Sequence, residues 1–438
     1  MKKKYIILSD RTGLRQSLIN LGDRALTEGT LVLLREQMHG EIRSAGWKVF
    51  PYINISVLPK QATPEDVLKS FDRFADRILN YSNVRIAVET AIVKILNSKY
   101  VLNSPIMNAF ENVFRKKYSR GLFETILPLV FRAHFARRFI EAVKAADVAV
   151  YNGAGLLSDR LRHYMVTGLF ECYLAKRIGK PVISLNQTVD VSHPVARNVI
   201  KAVYSLFDMH VTREPWSSER LIELGISQEK VIASCDSAFA APYIPHEDVA
   251  VIAEREGVEK GDIAFIIRGD RAQDLELWSR AVEEVGKRYT KQIWVLSTCI
   301  AHDNNIAQGL SGKCRFKTLS RMYDYPEMKD LMAYFDLVVT DRYHAAIFSI
   351  LAHTPVVPIS PQTIKIDGMF ASFDYPIKPI PRLDADHYDM LMSHIDALYS
   401  DRATVRSLLH DLSNELTNKV RRDYASLYGR LRERNRAV

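Results

Sequence analysis

Short apolar, β-branched runs alternate with longer amphipathic stretches from one end of the chain to the other. In the first half the pattern predicts strands at Tyr5–Leu8, Trp47–Ile53, Asp147–Tyr151 and Pro181–Leu185. In the second half it predicts them at Met209–Thr212, Val231–Ser234, Ile263–Ile267, Gln292–Ser297, Leu337–Val339 and Val356–Ile359. Helical spacing predicts Ala25–Met38, Arg160–Arg177, Trp216–Leu224, Gln273–Arg288 and Tyr343–Ala352 between them. Regular β/α alternation implies an α/β fold with parallel sheets covered by helices. Two such blocks meeting near residues 200–210 predict two Rossmann-like domains facing a cleft, 1–205 and 206–400. A charged helical segment, 401–438, is expected to pack back across both. Residues 100–145, aromatic and basic, exceed what a crossover needs and are expected to form a helical insertion in the first domain. A solvated basic face is the plainer reading of that stretch; peripheral contact with an anionic membrane is the sharper one.

Composition narrows the class without naming a function. The 438 residues are 47 % hydrophobic and 25 % charged, which is ordinary for a globular protein. The apolar run at the N-terminus ends at Leu8, too short for a secretory signal. No stretch approaches the roughly 20 apolar residues of a membrane span. A cytoplasmic location is the expectation. Cys172, Cys235, Cys299 and Cys314 are scattered, with no metal-binding spacing, so neither a metal nor a cofactor is expected. The formal charge of +9 suggests an anionic partner, substrate or surface without choosing among them.

Ligands of open α/β sheets gather at the carboxyl ends of the strands. In the second half the residues there are Arg213, Arg268, Asp341, Arg342 and His344, with Lys365 beyond the last strand. Arg342 and His344 fall at the start of a predicted helix, where backbone dipoles disfavour a cation unless an anion binds. Arg342 paired with a carboxylate is the alternative for that residue alone; five cations at equivalent strand ends favour an anion site. In the first half, Asn20, Gly22 and Asp23 form a loop before a helix. Asp23 is there either a structural cap or a cleft residue, and Gly22 allows a close approach. Gly153 and Gly155 follow a strand, and Asn186, Gln187 and Thr188 lie beyond another, offering neutral groups suited to sugar hydroxyls.

In this order the motifs resemble those of the polysaccharide pyruvyl transferase family. Asn20-Leu21-Gly22-Asp23 is similar to its opening Asn-x-Gly-Asp loop, and Gly153-Ala154-Gly155 to its glycine-rich loop. Asn186-Gln187-Thr188 stands where the family has a Gly-Gln-Ser type motif. Arg213 with "SSERLIELGI", and Asp236 and Phe239 in "SCDSAF", match further segments. Arg342 and His344 match the Arg-x-His helix start, and Pro355, Lys365 and Gly368 match the proline, lysine and glycine beyond it. The resemblance runs from about residue 15 to 375, outside the 100–145 insertion.

The resemblance implies a glycosyltransferase-B-like architecture and transfer of a pyruvyl group from phosphoenolpyruvate to a sugar as a cyclic ketal. The acceptor would be a glycan or lipid-linked saccharide of the cell envelope. On that basis Arg213, Arg268, Arg342 and Lys365 are expected to hold the donor. His344 is the expected acid/base, with Asp23 orienting the acceptor. Asn20, Gly22, Gly153, Gly155, Asn186 and Gln187 are expected to contact the acceptor. Two rivals stand beside this. A nucleotide-sugar glycosyltransferase is disfavoured because Glu327 is the sole glutamate between residues 320 and 400. A basic, non-enzymatic binding protein is disfavoured because no nucleic-acid module is recognisable, and no nucleic-acid partner is expected.

Overall fold

The computed structural model describes residues 3–8, 20–44, 62–79, 139–242, 247–271, 273–360 and 363–434. Twelve strands are present among them: β1 (Lys3–Leu8), β2 (Gly40–Ser44), β3 (Val148–Tyr151), β4 (Leu157–Ser158), β5 (Val182–Gln187), β6 (Val189–Asp190), β7 (Met209–Thr212), β8 (Val231–Ala233), β9 (Asp262–Ile266), β10 (Ile293–Val295), β11 (Phe335–Thr340) and β12 (Val356–Pro358). Six of them form one parallel sheet in the order β2-β1-β3-β5-β7-β8, and four form a second in the order β10-β9-β11-β12. β4 and β6 pair beside the first sheet. Strands β3, β5, β7, β9, β10 and β12 are buried at every position, as strands covered on both faces should be.

One expectation changes here. β7 and β8, which the alternation pattern assigned to the second block, pair onto the first sheet: His210–Thr212 lie in register with Val231–Ala233. The first unit therefore extends past Ala233, well beyond residue 205. A continuous parallel repeat gives no local sign of where one sheet stops, so the break cannot be read from periodicity. The expected strand at Trp47–Ile53 and most of the 100–145 insertion lie outside the described residues. Of the insertion, residues 139–145 are helical, with Phe139 and Val143 in the core.

The units are closely joined. One apolar core runs from the second sheet through the helix Leu21–Glu36 onto one face of the first sheet, and a second covers the other face. The Leu21 amide donates to the Thr298 carbonyl at 3.1 Å, tying that helix's start to the second unit. The final helix, Arg402–Arg434, crosses both. Arg406 Nη2 donates to the Phe335 carbonyl at 2.6 Å, Lys419 Nζ to Ala233 at 2.7 Å, and Arg430 Nη1 to Glu229 at 3.1 Å. Among the described residues no helix is long and apolar enough to cross a membrane.

Candidate active site

The carboxyl ends of both sheets open on one cleft of about 1430 Å³. Nine of the twelve expected site residues line it: Asn20, Gly22, Asp23, Gly155, Arg213, Arg268, Arg342, His344 and Lys365. The five side chains from the strand ends of β7, β9, β11 and beyond β12 therefore meet at one place.

Most of these cations already have partners. Arg268 makes a two-pronged contact with Asp270, Nε to Oδ1 at 2.9 Å and Nη2 to Oδ2 at 2.7 Å. Arg342 is the N-cap residue of the helix Tyr343–Leu351 and not part of its first turn. Its guanidinium pairs with Asp303, which is buried, and lies 3.6 Å from Asp270. A carboxylate partner, the alternative left open for Arg342, is thus what offsets the cation at this helix start. Arg160 reaches in from the first unit, donating to the Asp270 carbonyl at 2.9 Å. Asp270 serves three arginines at once.

Arg213 differs. It is 3 % exposed, and its Nη1 donates to Asp236 Oδ2 at 3.0 Å and its Nε to Thr188 Oγ1 at 2.7 Å. Its guanidinium also sits over the Tyr343 ring at 4.6 Å. Nη2 has no acceptor among the described residues. It points where Lys365 also points: a Cβ added to Gly155 would overlap Lys365 Nζ and lie 3.6 Å from Arg213 Nη2. Lys365 has no ion pair or hydrogen bond from its ammonium among the described residues. Burial, and then Arg213 and Arg268, push its ammonium down to about 7. Two cationic donors thus converge on one spot of the cleft, and Gly155 leaves room for them.

His344 approaches the same Asp236 oxygen that Arg213 bonds. Its Nε2 faces Asp236 Oδ2 at 3.7 Å, while its Nδ1 edge lies against Gly22, where any Cβ would overlap the ring. Gly22 is needed for His344 to reach the start of the Leu21–Glu36 helix. Asn20 caps that helix, accepting from the Gly22 and Asp23 amides at 3.0 and 3.3 Å. The Asp23 carboxylate is left facing the cleft with no partner of its own among the described residues. Asp236 is wholly buried; burial alone would raise its carboxyl, but His344 and Arg213 hold it down at about 2. It also accepts from the Ala238 amide at 2.8 Å. The expected site omits Asp236, although it stands in the "SCDSAF" segment. Because β7 and β8 are neighbours, the residues after them, Arg213 and Asp236, had to meet.

Three expected acceptor residues do not line the cleft. Asn186 is buried in a left-handed turn at φ 56°. Its amide bonds Thr30 Oγ1 at 2.8 Å and Asn152 Oδ1 at 3.0 Å and accepts from Ser237 N at 3.1 Å. Gln187 turns inward to the carbonyls of Leu185 and Tyr151, and its backbone carbonyl accepts from the Arg213 amide. Gly153 makes space for the Tyr151 ring. These residues brace the floor beneath Arg213. Asn152, Asp159, Arg160 and Asp190 from the first unit do line the cleft, so this wall is charged where neutral groups were expected. Asp341 is a buried part of the second wall and accepts from the Arg268 amide and Gln273 Nε2. Burial lifts its carboxyl to about 6 despite Arg268. No group of three or more His, Cys, Asp or Glu side chains among the described residues is placed to hold a metal ion.

This order of motifs around one cleft agrees with the family comparison: the model for polysaccharide pyruvyl transferase matches residues 20–363. The chain belongs to the polysaccharide pyruvyl transferase family. The matched span takes in the whole Asn20 loop, the Arg213–Asp236 pair and the Arg342–His344 helix start, and stops just before Lys365. No curated protein matches the chain. Among solved structures, Anabaena HepE in complex with UDP is similar at 10 % identity over 100 % of both chains, with a TM-score of 0.52. The same protein with UDP and glucose gives 9 %, 100 % of both chains and 0.50. UDP-GlcNAc 2-epimerase from Neisseria meningitidis is a remoter likeness at 12 %, 68 % of this chain, 80 % of that one and 0.45. The family member described here accordingly has the glycosyltransferase-B-like arrangement of parallel sheets about a cleft.

Proposed function

We propose that this protein transfers a pyruvyl group from phosphoenolpyruvate to two hydroxyls of a sugar, on an envelope glycan or its lipid-linked precursor, forming a cyclic ketal. The observation that carries the reading is the buried Asp236. Its Oδ2 accepts from Arg213 Nη1 and faces His344 Nε2, beside a Lys365 ammonium and an Arg213 Nη2 that have no acceptor among the described residues. A compact trianion with both carboxylate and phosphate suits such a site, because guanidinium groups hold either with directed hydrogen bonds.

In this reading the donor carboxylate takes Arg213 Nη2 and Lys365, and the phosphate lies toward Arg268 and Arg342, displacing Asp270. His344, its Nε2 facing Asp236 Oδ2 at 3.7 Å, protonates the donor's methylene carbon. A sugar hydroxyl attacks the resulting oxocarbenium-like carbon and loses its proton. Phosphate then leaves with the electrons of its C–O bond. The second hydroxyl closes the ring and loses its proton in turn. Asp23 orients the attacking hydroxyl. The large cleft leaves room for a sugar acceptor beside a small donor.

The test is titration with phosphoenolpyruvate followed by acceptor screening for phosphate release. His344→Ala should bind the donor and release no phosphate; turnover near the wild-type rate would remove His344 from the chemistry. One observation favours a second reading: the HepE structures of this fold hold UDP. A protein that binds UDP and ignores phosphoenolpyruvate would be a nucleotide-sugar glycosyltransferase instead.

A further inference from the structure

Lys365 has the surroundings of a nucleophile as much as those of a ligand. Its ammonium reaches the cleft from the helix Ile364–Phe370, yet it has neither an ion pair nor a hydrogen bond among the described residues. The carboxyl groups that act on it, Asp23, Asp190 and the buried Glu214, do so only through space. Two guanidinium groups, Arg213 and Arg268, oppose its charge, and burial opposes it more. An amine held this way is neutral for a large share of the time near pH 7. Desolvation and neighbouring cations are the means by which a lysine becomes able to attack a carbonyl. The second half of such a site is a grip for the carbonyl compound's acid group. Arg213 Nη2, held by a guanidinium that is otherwise fully engaged, converges with Nζ beside Gly155.

We propose that Lys365 captures a 2-oxo acid as a reversible imine in the cleft. The neutral Nζ attacks the C2 carbonyl while the acid's carboxylate sits on Arg213 Nη2. The carbinolamine formed loses the former carbonyl oxygen, with two protons, as water. That leaves a C=N bond, and addition of water returns lysine and oxo acid. The inference rests on the pyruvyl-transfer reading only for the choice of pyruvate as the acid: water intercepting the activated donor would release it in the cleft. The imine would then occupy the donor site, a covalent but reversible form of product inhibition. A trianionic donor has the opposite effect, holding Lys365 protonated and unreactive.

The test is to incubate the full chain with pyruvate and borohydride, then map adducts by peptide mass spectrometry. One reduced pyruvyl adduct is expected on Lys365, at least tenfold over any other lysine, with half-maximal labelling near neutral pH. It should vanish in Lys365→Arg, which keeps the charge and cannot form the imine. In the wild type, inorganic phosphate should suppress it several-fold while leaving surface lysines unchanged, a control that needs no variant. Labelling spread over exposed lysines, insensitive to phosphate or rising only toward pH 10, would overturn the proposal. Trapping needs no donor turnover. An adduct without phosphate release from phosphoenolpyruvate would therefore sink the transferase reading alone, and turnover without an adduct would sink this one alone.

Discussion

Asp236→Asn changes one atom and tests the centre of the site. Asp236 Oδ1 accepts from the Ala238 amide at 2.8 Å and Oδ2 from Arg213 Nη1 at 3.0 Å. An asparagine can keep only one of these. With its oxygen on Ala238 its NH2 meets the guanidinium, and with its oxygen on Arg213 it meets the Ala238 N–H. Arg213 is then a buried charge without its counter-ion. Breaking a buried pair from one side costs about 3–5 kcal/mol. Thr188 Oγ1 at 2.7 Å and the Tyr343 ring remain, which places the expected loss near the lower end, about 3 kcal/mol. For a unit of this size each kcal/mol moves the melting midpoint by roughly 2–4 °C, so a fall of about 6–12 °C is expected. Because the Asp236 carboxyl is held down at about 2, its contribution is complete above the ordinary carboxylate range and lost only as pH falls toward 2. The deficit should therefore be constant from pH 5 to 8. Turnover should drop further than folding explains, by about 100-fold, since the carboxylate that faces His344 has lost its charge. Calorimetry beside phosphate-release kinetics decides it. A midpoint within about 2 °C of wild type, with turnover within a factor of about three, would refute the buried-bridge argument.

Gly22→Ala pushes the His344 ring out of place. Overpacking of about 1–3 kcal/mol is offset by helix propensity near 1 kcal/mol, so melting should fall by at most about 8 °C while turnover collapses. Gly29→Ala, whose Cβ would overlap the Ser237 carbonyl, should reverse that ratio. Lys365 is held down to about 7, so affinity for sulfate, whose charge is constant over the range, should weaken as pH rises from 6 to 8 when measured by calorimetry, and Lys365→Arg should flatten the profile. For folding the sign is opposite: the native state binds its proton less tightly than the unfolded chain, so this residue's contribution to stability improves from pH 7 upward toward 10. Asp270→Asn releases Arg160, Arg268 and Arg342 from a competing carboxylate and should tighten phosphate binding about tenfold; weaker binding would show that Asp270 positions these arginines and does not mask them.

The strands were legible because strands buried on both faces are continuous apolar runs, as in "VAVY" and "VISL". β2 was not, since "GEIRS" has one apolar side chain in five residues. The meeting of Arg268, Arg342, His344 and Lys365 was legible because strand ends of one parallel sheet share an edge, whereas Arg213 follows β7 of the first sheet and joins them across the cleft. What each touches there was not. Asn186 and Gln187 carry groups suited to a ligand, but the left-handed turn at Asn186 directs them inward, and nothing in a polar triplet signals that. Asp236 could have been found: once β7 and β8 are taken as neighbours in one sheet, an arginine after the first and an aspartate after the second must face each other.

The charge of the chain is a poor guide to what the cleft selects. The described lining carries seven basic side chains, Arg160, Arg213, Arg268, Arg271, Arg342, Lys365 and Arg382, against seven aspartates at 23, 159, 190, 270, 274, 341 and 384. A formal excess of +9 over the sequence therefore does not appear as a net positive cleft. Selectivity must come from which groups retain unused hydrogen-bonding directions. Arg268 and Arg342 direct guanidinium nitrogens at Asp270 and Asp303, with Arg342 Nε left over. A ligand therefore gains from them chiefly by displacing a carboxylate, whereas Arg213 Nη2 and Lys365 Nζ, which have no acceptor among the described residues, require no displacement. An anion should thus dock first at the Gly155 side and reach Arg268 second, and the Asp270 exchange discriminates between anions by charge. A monocarboxylate gains little from evicting an aspartate, while a ligand that also carries a phosphate replaces one carboxylate by a stronger acceptor with more charge.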